Sequence, residues 1–246
     1  MIRPKKSLGQ NFLTDKNIIN KIINLIKIKD EKIIEIGPGL GALTNEILNQ
    51  KPKNIIIIEK DHNLYRNLVM KYKNFNNLSI FNIDALKYPF EKLQGYKIIS
   101  NLPYNISTKI LSKTMLLNSN FNEIICMIQK ELAEKFNYKQ GKMNKYKFVT
   151  QYCGSYEIKF NVSPNSFFPK PKVNSSVIKF KHKKIDIDTK RLEFFISNFF
   201  RNKRKKIKSN NLIYDHTTKK YLDDRYEDLE FSKILEIYER FKYSMS

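Results

Sequence analysis

Lys32-Ile33-Ile34-Glu35-Ile36-Gly37-Pro38-Gly39-Leu40-Gly41 decides the fold. The isoleucine-rich run is too short for a helix and reads as a buried strand. It runs into three glycines at every second position. A glycine has no Cβ to collide with a ligand, so backbone can approach a bound molecule closely at this turn. A helix is expected to open near Ala42 and to end by Asn49. Working outward, Asn54 to Glu59 reads as a second strand, followed by a helix from about Asp61 to Tyr72. Leu78 to Phe81 is a third strand, ending at Asp84, and Lys97 to Asn101 is a fourth. Helix Ser107 to Leu117, strand Glu123 to Gln129 and a helix over about Lys130 to Phe136 continue the alternation. Upstream, Thr14 or Asp15 can cap a helix in which Ile18, Ile19, Ile22, Ile23 and Ile26 recur at helical spacing. Strands alternating with helices imply an α/β fold: a mostly parallel sheet with helices on both faces.

The later sequence changes character. After the apolar segment Phe148 to Tyr152, the extended runs Tyr156 to Val162 and Ser175 to Phe180 flank the proline-rich loop Pro164 to Pro171. No helix separates them, which suggests a closing hairpin. Beyond the charged linker Lys181 to Lys184 the strands cease. Leu192, Phe195, Ile196 and Phe199 make one helical stripe, and Phe231, Ile234, Leu235 and Tyr238 another. The expected division is residues 1–184 as the α/β domain and 185–246 as a small basic α-helical C-terminal domain.

The 246 residues carry 46 Lys and Arg against 24 Asp and Glu, a net charge of +22. That field favours a polyanion as partner. Part of the lysine excess is compositional, because Ile, Lys and Asn dominate together, but its clustering is not. Six of the eight residues from Arg201 to Lys208 are basic, dense enough for a phosphate-binding ridge beside an apolar stripe. Cys126 and Cys153 have no metal-ligand spacing, so neither a metal nor a disulfide is expected. No apolar run approaches a membrane span, and the basic start leads into no secretory segment. A soluble cytoplasmic chain without a membrane partner is the expectation.

Lys97-Ile98-Ile99-Ser100-Asn101-Leu102-Pro103-Tyr104-Asn105-Ile106-Ser107-Thr108 carries the chemistry. Pro103 has no N–H and pushes Leu102 into an extended conformation, so the strand must end here. An amide, freed carbonyls and an aromatic ring then gather at a strand's carboxyl end, the edge where open α/β sheets bind ligands. The amide of Asn101 and the carbonyl of Leu102 or Pro103 can accept hydrogen bonds from an exocyclic amine, and Tyr104 can stack on a flat base. The other reactant belongs to the glycine turn. Gly37, Gly39 and Ala42 satisfy the loose dinucleotide fingerprint, and Glu59 can accept hydrogen bonds from ribose hydroxyls, so a nicotinamide cofactor is one reading. Glu35 ahead of the glycines gives E-x-G-x-G-x-G, which resembles the first motif of S-adenosylmethionine-dependent methyltransferases. Asp84 then fits the position whose carboxylate takes that cofactor's adenine amine, and Asn-Leu-Pro-Tyr resembles the [ND]-x-P-[YF] of amino-methyltransferases.

Further matches extend the likeness. Lys6-Ser7-Leu8-Gly9-Gln10-Asn11-Phe12-Leu13, Glu35 to Thr44, Asn101 to Thr108, Gln129-Lys130-Glu131 and Phe167-Phe168-Pro169-Lys170-Pro171-Lys172-Val173-x-Ser175 resemble the ribosomal RNA small-subunit adenine dimethyltransferase family, KsgA type. The resemblance covers the first 180 residues and implies a Rossmann-like S-adenosylmethionine-dependent methyltransferase domain. It implies dimethylation of two adjacent adenosines near the 3′ end of small-subunit rRNA, within an immature 30S-type particle, by a chain expected to act as a monomer. Carried over by residue, Asn11 and Leu13 close over the cofactor, Gly37 meets its amino-acid part, Glu59 the ribose and Asp84 the adenine. Asn101 meets both cofactor and target amine. Leu102 and Pro103 supply the backbone beside it, Tyr104 stacks on the base, and Phe167 covers the opposite face. Arg201, Lys203, Arg204 and Lys205 would hold RNA. The loop Met143 to Phe148 departs from the family's Tyr-Gly and Arg-Leu pattern, and the tail's basic run lacks a hydroxyl that the family has.

Two rivals stand beside this reading: the sister family that methylates one adenine in large-subunit rRNA, and a non-catalytic RNA-binding assembly factor on the same fold. Replacing Arg204 and Lys205 by Ala is expected to weaken RNA binding and to flatten its salt dependence by roughly one unit of slope per lost phosphate contact. An unchanged slope in a salt titration would make the run a solvated face only.

Overall fold

The computed structural model describes residues 4–5, 8–118, 120–139, 141–202, 205–209 and 218–244. The lead-in places the short strand β1 (Phe12–Leu13) before helix α1 (Lys16–Ile23), which Asp15 caps by accepting from the N–H groups of Asn17 and Ile18. Strand β2 (Lys32–Ile36), helix α2 (Ala42–Asn49), strand β3 (Asn54–Ile58), helix α3 (His62–Lys71) and strand β4 (Leu78–Phe81) follow. The chain then returns with β5 (Tyr96–Asn101), α4 (Ser107–Leu116), β6 (Phe121–Gln129) and α5 (Lys130–Phe136). Helix α6 (Lys145–Cys153), strand β7 (Gly154–Val162), the two-residue β8 (Phe167–Phe168) and β9 (Ser175–His182) complete the α/β part.

Seven strands form one sheet in the order β4-β3-β2-β5-β6-β9-β7. The first five are parallel to their neighbours, whereas β9 runs antiparallel to both β6 and β7. The expected hairpin is therefore present, and its second strand, β9, docks on β6. Order reverses between β2 and β5, because the chain builds outward through β3 and β4 before crossing back. A crevice opens at such a switch point, outside the carboxyl ends of the two strands.

Both faces are covered because alternate strand residues point to opposite sides. Ile33, Ile55, Ile57, Ile99 and Ile125 pack with Ile19, Ile22 and Ile23 of α1 and with Leu43 and Ile47 of α2. Ile34, Ile56, Ile98 and Ile124 pack on the other side with Ile110, Leu111 and Met115 of α4. At the amino end of β5, the buried Lys97 ammonium lies 3.1 Å from Glu31 and 3.6 Å from Glu123.

One expectation is corrected, and one segment left open by its pattern is settled. The first helix stops at Ile23, and Ile26 is buried in the turn that follows, where Leu25 N–H donates to the Ile22 carbonyl. Phe148 to Tyr152 belongs to a helix whose start is set by Asn144, whose side chain accepts from Tyr146 and Lys147.

Helices α7 (Thr189–Phe199) and α8 (Phe231–Ser244) form the later part of the chain. The two apolar stripes converge on Phe148 of α6, whose ring centroid lies 5.9 Å from Phe195, 5.5 Å from Phe231 and 6.2 Å from Tyr238. Phe148 is fully buried, so a cavity there would lose contacts to α6, α7 and α8 together. Phe148→Ala is expected to lower the unfolding free energy by about 3–5 kcal/mol in urea denaturation. A loss below about 1 kcal/mol would show that the helices do not depend on this ring.

Candidate active site

One cavity lies at the switch point, and the residues expected around a cofactor converge on it. Asn11, Leu13, Gly37, Glu59, Asp84, Asn101, Leu102, Pro103 and Tyr104 all line it. The turn after β2 is shaped by positive φ angles of 66° at Gly37 and 60° at Gly39. A Cβ on Gly37 would come within 2.9 Å of the Pro103 ring, and one on Gly39 within 2.7 Å of the Phe12 ring. Both positions therefore require glycine for packing as well as for φ. Thus Pro103 roofs the glycine turn from one side and the lead-in from the other.

Acidic groups surround the cavity. Glu35 is buried, accepts a hydrogen bond from Thr44 Oγ1 at 2.6 Å, and has its carboxyl pushed up to about 8 by burial. Glu59, just past the end of β3, accepts from Asp61 N–H at 2.7 Å, and burial raises its carboxyl to about 6 against the backbone N–H groups that favour the ion. Asp84 accepts from Lys60 Nζ and from Leu86 N–H, both at 2.9 Å, which hold its pKa below the usual carboxylate range. The carboxyl oxygens keep further lone pairs, so these four bonds leave acceptor capacity for a ligand.

The Asn-Leu-Pro-Tyr turn is more specified than its sequence suggests. Asn101 Nδ2 donates to the Asn11 carbonyl at 3.0 Å, which leaves Oδ1 as the acceptor for a substrate amine. The Pro103 carbonyl accepts from Ile106 N–H, Ser107 N–H and Ser107 Oγ. It is consumed in starting α4, so of the two expected backbone acceptors Leu102 is the one suited to a substrate. Tyr104 is partly exposed, and its hydroxyl pairs with Ser175 Oγ at 2.6 Å, fixing the plane of the ring.

Phe167 is placed otherwise than expected. In the antiparallel pairing of β1 with β8 it lies opposite Leu13 and is only 3% exposed, packed in the core. Its neighbour Phe168 is 63% exposed. The period of two along a strand turns one ring inward and the next outward. Phe167 therefore serves the core, and Phe168 is the solvent-facing ring of the pair, outside the cavity lining. Arg201 and Lys205 are exposed and lie outside the cavity lining, and Lys203 and Arg204 fall outside the described residues. Lys6 and Ser7 of the lead-in motif are likewise outside them. Sequence reading missed Lys60, Thr44 and Ser175 as partners of site groups; Thr44 and Ser175 stand inside quoted motifs, whereas nothing in the pattern marks Lys60.

Paired ribose-type and amine acceptors, a glycine turn and a turn that presents an amide beside it fit a nucleoside-bearing methyl donor. Fold and site together define an S-adenosylmethionine-dependent methyltransferase. The sequence profile described as ribosomal RNA adenine dimethylase matches residues 1–242, and the chain belongs to that family. A Malacoplasma penetrans protein named ribosomal RNA small subunit methyltransferase A is 43% identical over 214 residues, covering 83% of this chain and 76% of its own. A protein of the same name from Mesomycoplasma hyopneumoniae strain 232 is 41% identical over 235 residues, covering 94% and 89%. Among solved structures, a dimethyladenosine transferase from Plasmodium falciparum superposes with a TM-score of 0.78 at 23% identity, covering 95% of this chain and 98% of that one. The 23S rRNA methyltransferase ErmE gives 0.71 at 20% identity, covering 94% and 100%. Both structures share the fold.

If Glu59 holds the ribose, as the resemblance implies, cofactor binding depends on pH. Its carboxyl is raised from 4.5 to about 6, so the acceptor form is lost as pH falls through that value. Affinity for S-adenosylmethionine, measured by calorimetry, is expected to drop by up to about tenfold per pH unit below about 6, and Glu59→Gln should flatten the profile. A wild-type profile that stays level across that range would remove Glu59 from the ribose.

Proposed function

We propose that this chain transfers methyl groups from S-adenosylmethionine to the exocyclic N6 of two adjacent adenosines near the 3′ end of small-subunit (16S) rRNA. The product is N6,N6-dimethyladenosine, made during ribosome biogenesis. The observation that carries this reading is the Asn101 amide, held by Asn11 with its oxygen left to accept, at the end of the strand beside the glycine turn. Relatives named for the small subunit, at 41–43% identity, favour that particle over the large one.

Adenine's exocyclic amine donates its lone pair into the ring and is a poor nucleophile. Hydrogen bonds from its N–H groups to Asn101 Oδ1 and to the Leu102 carbonyl localise that lone pair on nitrogen. When bound, the cofactor supplies a methyl group already activated by its sulfonium, so alignment and electrostatics are the protein's main tasks. Neither described histidine, His62 nor His182, lines the cavity. That suits a transfer needing no base beforehand, because the nitrogen proton becomes acidic only after the methyl is attached. Reaching the amine requires an unstacked base, at a cost of a few kcal/mol, which stacking on Tyr104 offsets by about 1–3 kcal/mol.

Residues 185–246 act as a small basic RNA-binding domain, with Arg201, Lys203, Arg204 and Lys205 on phosphates. The chain works as a monomer in the cytoplasm, on an immature 30S-type particle. Among the described residues, no helix is long and apolar enough to cross a membrane. The test is methyl transfer from labelled cofactor to immature small subunits, with N6-dimethyladenosine mapped in both rRNAs. Two adjacent small-subunit sites, lost in Asn101→Ala, are expected. Modification confined to the large subunit would overturn the substrate, and undiminished transfer by Asn101→Ala would overturn the catalytic assignment.

A further inference from the structure

We infer that Asp61 is the positioning residue that closes the lead-in over the cofactor and so sets the orientation of Asn101. Asp61 is 4% exposed and does not line the cavity, yet its N–H and carboxylate make four hydrogen bonds, besides the bond from Tyr65 N–H of α3 that its carbonyl accepts. Its N–H donates to Glu59 Oε1 at 2.7 Å. Its Oδ1 accepts from Asn63 N–H at 2.9 Å, capping α3. Its Oδ2 accepts from Lys5 Nζ at 2.9 Å and from Gln10 Nε2 at 3.1 Å. Lys5 N–H donates back to Gln10 Oε1 at 2.7 Å, so Lys5, Gln10 and Asp61 close a ring.

The residue after that ring is Asn11, whose carbonyl holds the Asn101 amide. Phe12 then packs on Gly39, and Leu13 pairs with Phe167. The far end of the lead-in is tied separately, by Thr14 N–H to the Ser166 carbonyl at 2.9 Å and by Ser166 Oγ to Asp15 at 3.1 Å. A strap fixed at both ends holds Asn11 in register. Released at Asp61, the strap loses its near anchor, and the Asn11 carbonyl is held against Asn101 only from the β1 side, by Phe12 on Gly39 and by the pairing with β8. A charged, desolvated acceptor is suited to this role, since hydrogen bonds to an ionised group are shorter and stronger than neutral ones. The same residue that aims its N–H at Glu59 thus closes the cover, which couples the ribose carboxylate to the strap. This inference rests on the cofactor occupying the cavity at Glu59.

The test uses the full chain, with Asp61→Asn, Lys5→Met, Gln10→Ala and the double variant Asp61→Asn with Lys5→Met. Asn is itself a good N-cap, so α3 keeps its start in Asp61→Asn. Amide hydrogen exchange across residues 8–14 reads the strap, and stopped-flow displacement reads S-adenosylmethionine release. Each single variant is expected to speed exchange in the lead-in, and Asp61→Asn to speed cofactor release by roughly tenfold, the scale of one hydrogen bond to a charged group. The double variant should be little worse than Asp61→Asn, because both changes break one contact. Unaltered exchange in the lead-in, or effects of Asp61 and Lys5 that simply add, would reduce Asp61 to a helix cap and overturn the inference. If Glu59→Gln left cofactor affinity intact, the reading of the cavity would fall instead, and the exchange measurement on the free protein would still decide the strap.

Discussion

No side chain fits at position 37. The φ of 66° disfavours one, and the Pro103 ring fills the place its Cβ would take. The turn after β2 and the turn after β5 therefore occupy one shared volume. Ser100 Oγ adds a bond to the Ile36 carbonyl, joining the ends of the same two strands. The glycine motif and Asn-Leu-Pro-Tyr are separated by more than sixty positions in the chain but form one object, and every other site group is arranged around it. Glu59 approaches from β3, Asp84 from beyond β4, and Asn11 from the lead-in.

Much of the α/β part was legible because isoleucine runs buried on both faces leave little else for the chain to do. The bounds of β2 follow directly from such a run, and those of α2, β4 and α5 from the change of pattern that follows each strand. Helix α6 was harder, since its apolar residues cluster in a short segment and its start depends on one asparagine side chain. The site was legible where motif and local geometry coincide, at Gly37, Glu59, Asp84 and Asn101. It was not legible where a partner comes from far along the chain. Lys60 meets Asp84, Lys5 meets Asp61, and Ser175 meets Tyr104 through contacts that no local period encodes. Phe167 and Phe168 show a different limit. The sequence offers two rings in a row, and only the pairing with β1 says which one faces the core.

Charge is divided in a way that suits two unlike ligands. The chain as a whole is strongly cationic, at +22. The cavity is lined by Glu35, which burial keeps largely protonated near neutral pH, by Glu59 and by Asp84, onto which Lys60 is drawn, so Glu59 carries most of its negative charge. A positive exterior attracts a polyanion over long range, whereas a recess holding an ionised Glu59 favours a small cation once solvent is excluded.

The ladder between β1 and β8 joins Phe12 and Leu13 to Phe168 and Phe167, and Tyr104 is tied to Ser175. During synthesis on the ribosome the lead-in emerges well ahead of its partners, which follow only after some 150 further residues have been added. A nascent chain can assemble β2 to β5 and present the glycine turn long before the cover over it has anything to pair with. The pocket thus becomes complete at a late stage of translation, and a truncated chain ending before Phe167 would carry the chemistry's residues without the frame that aims them.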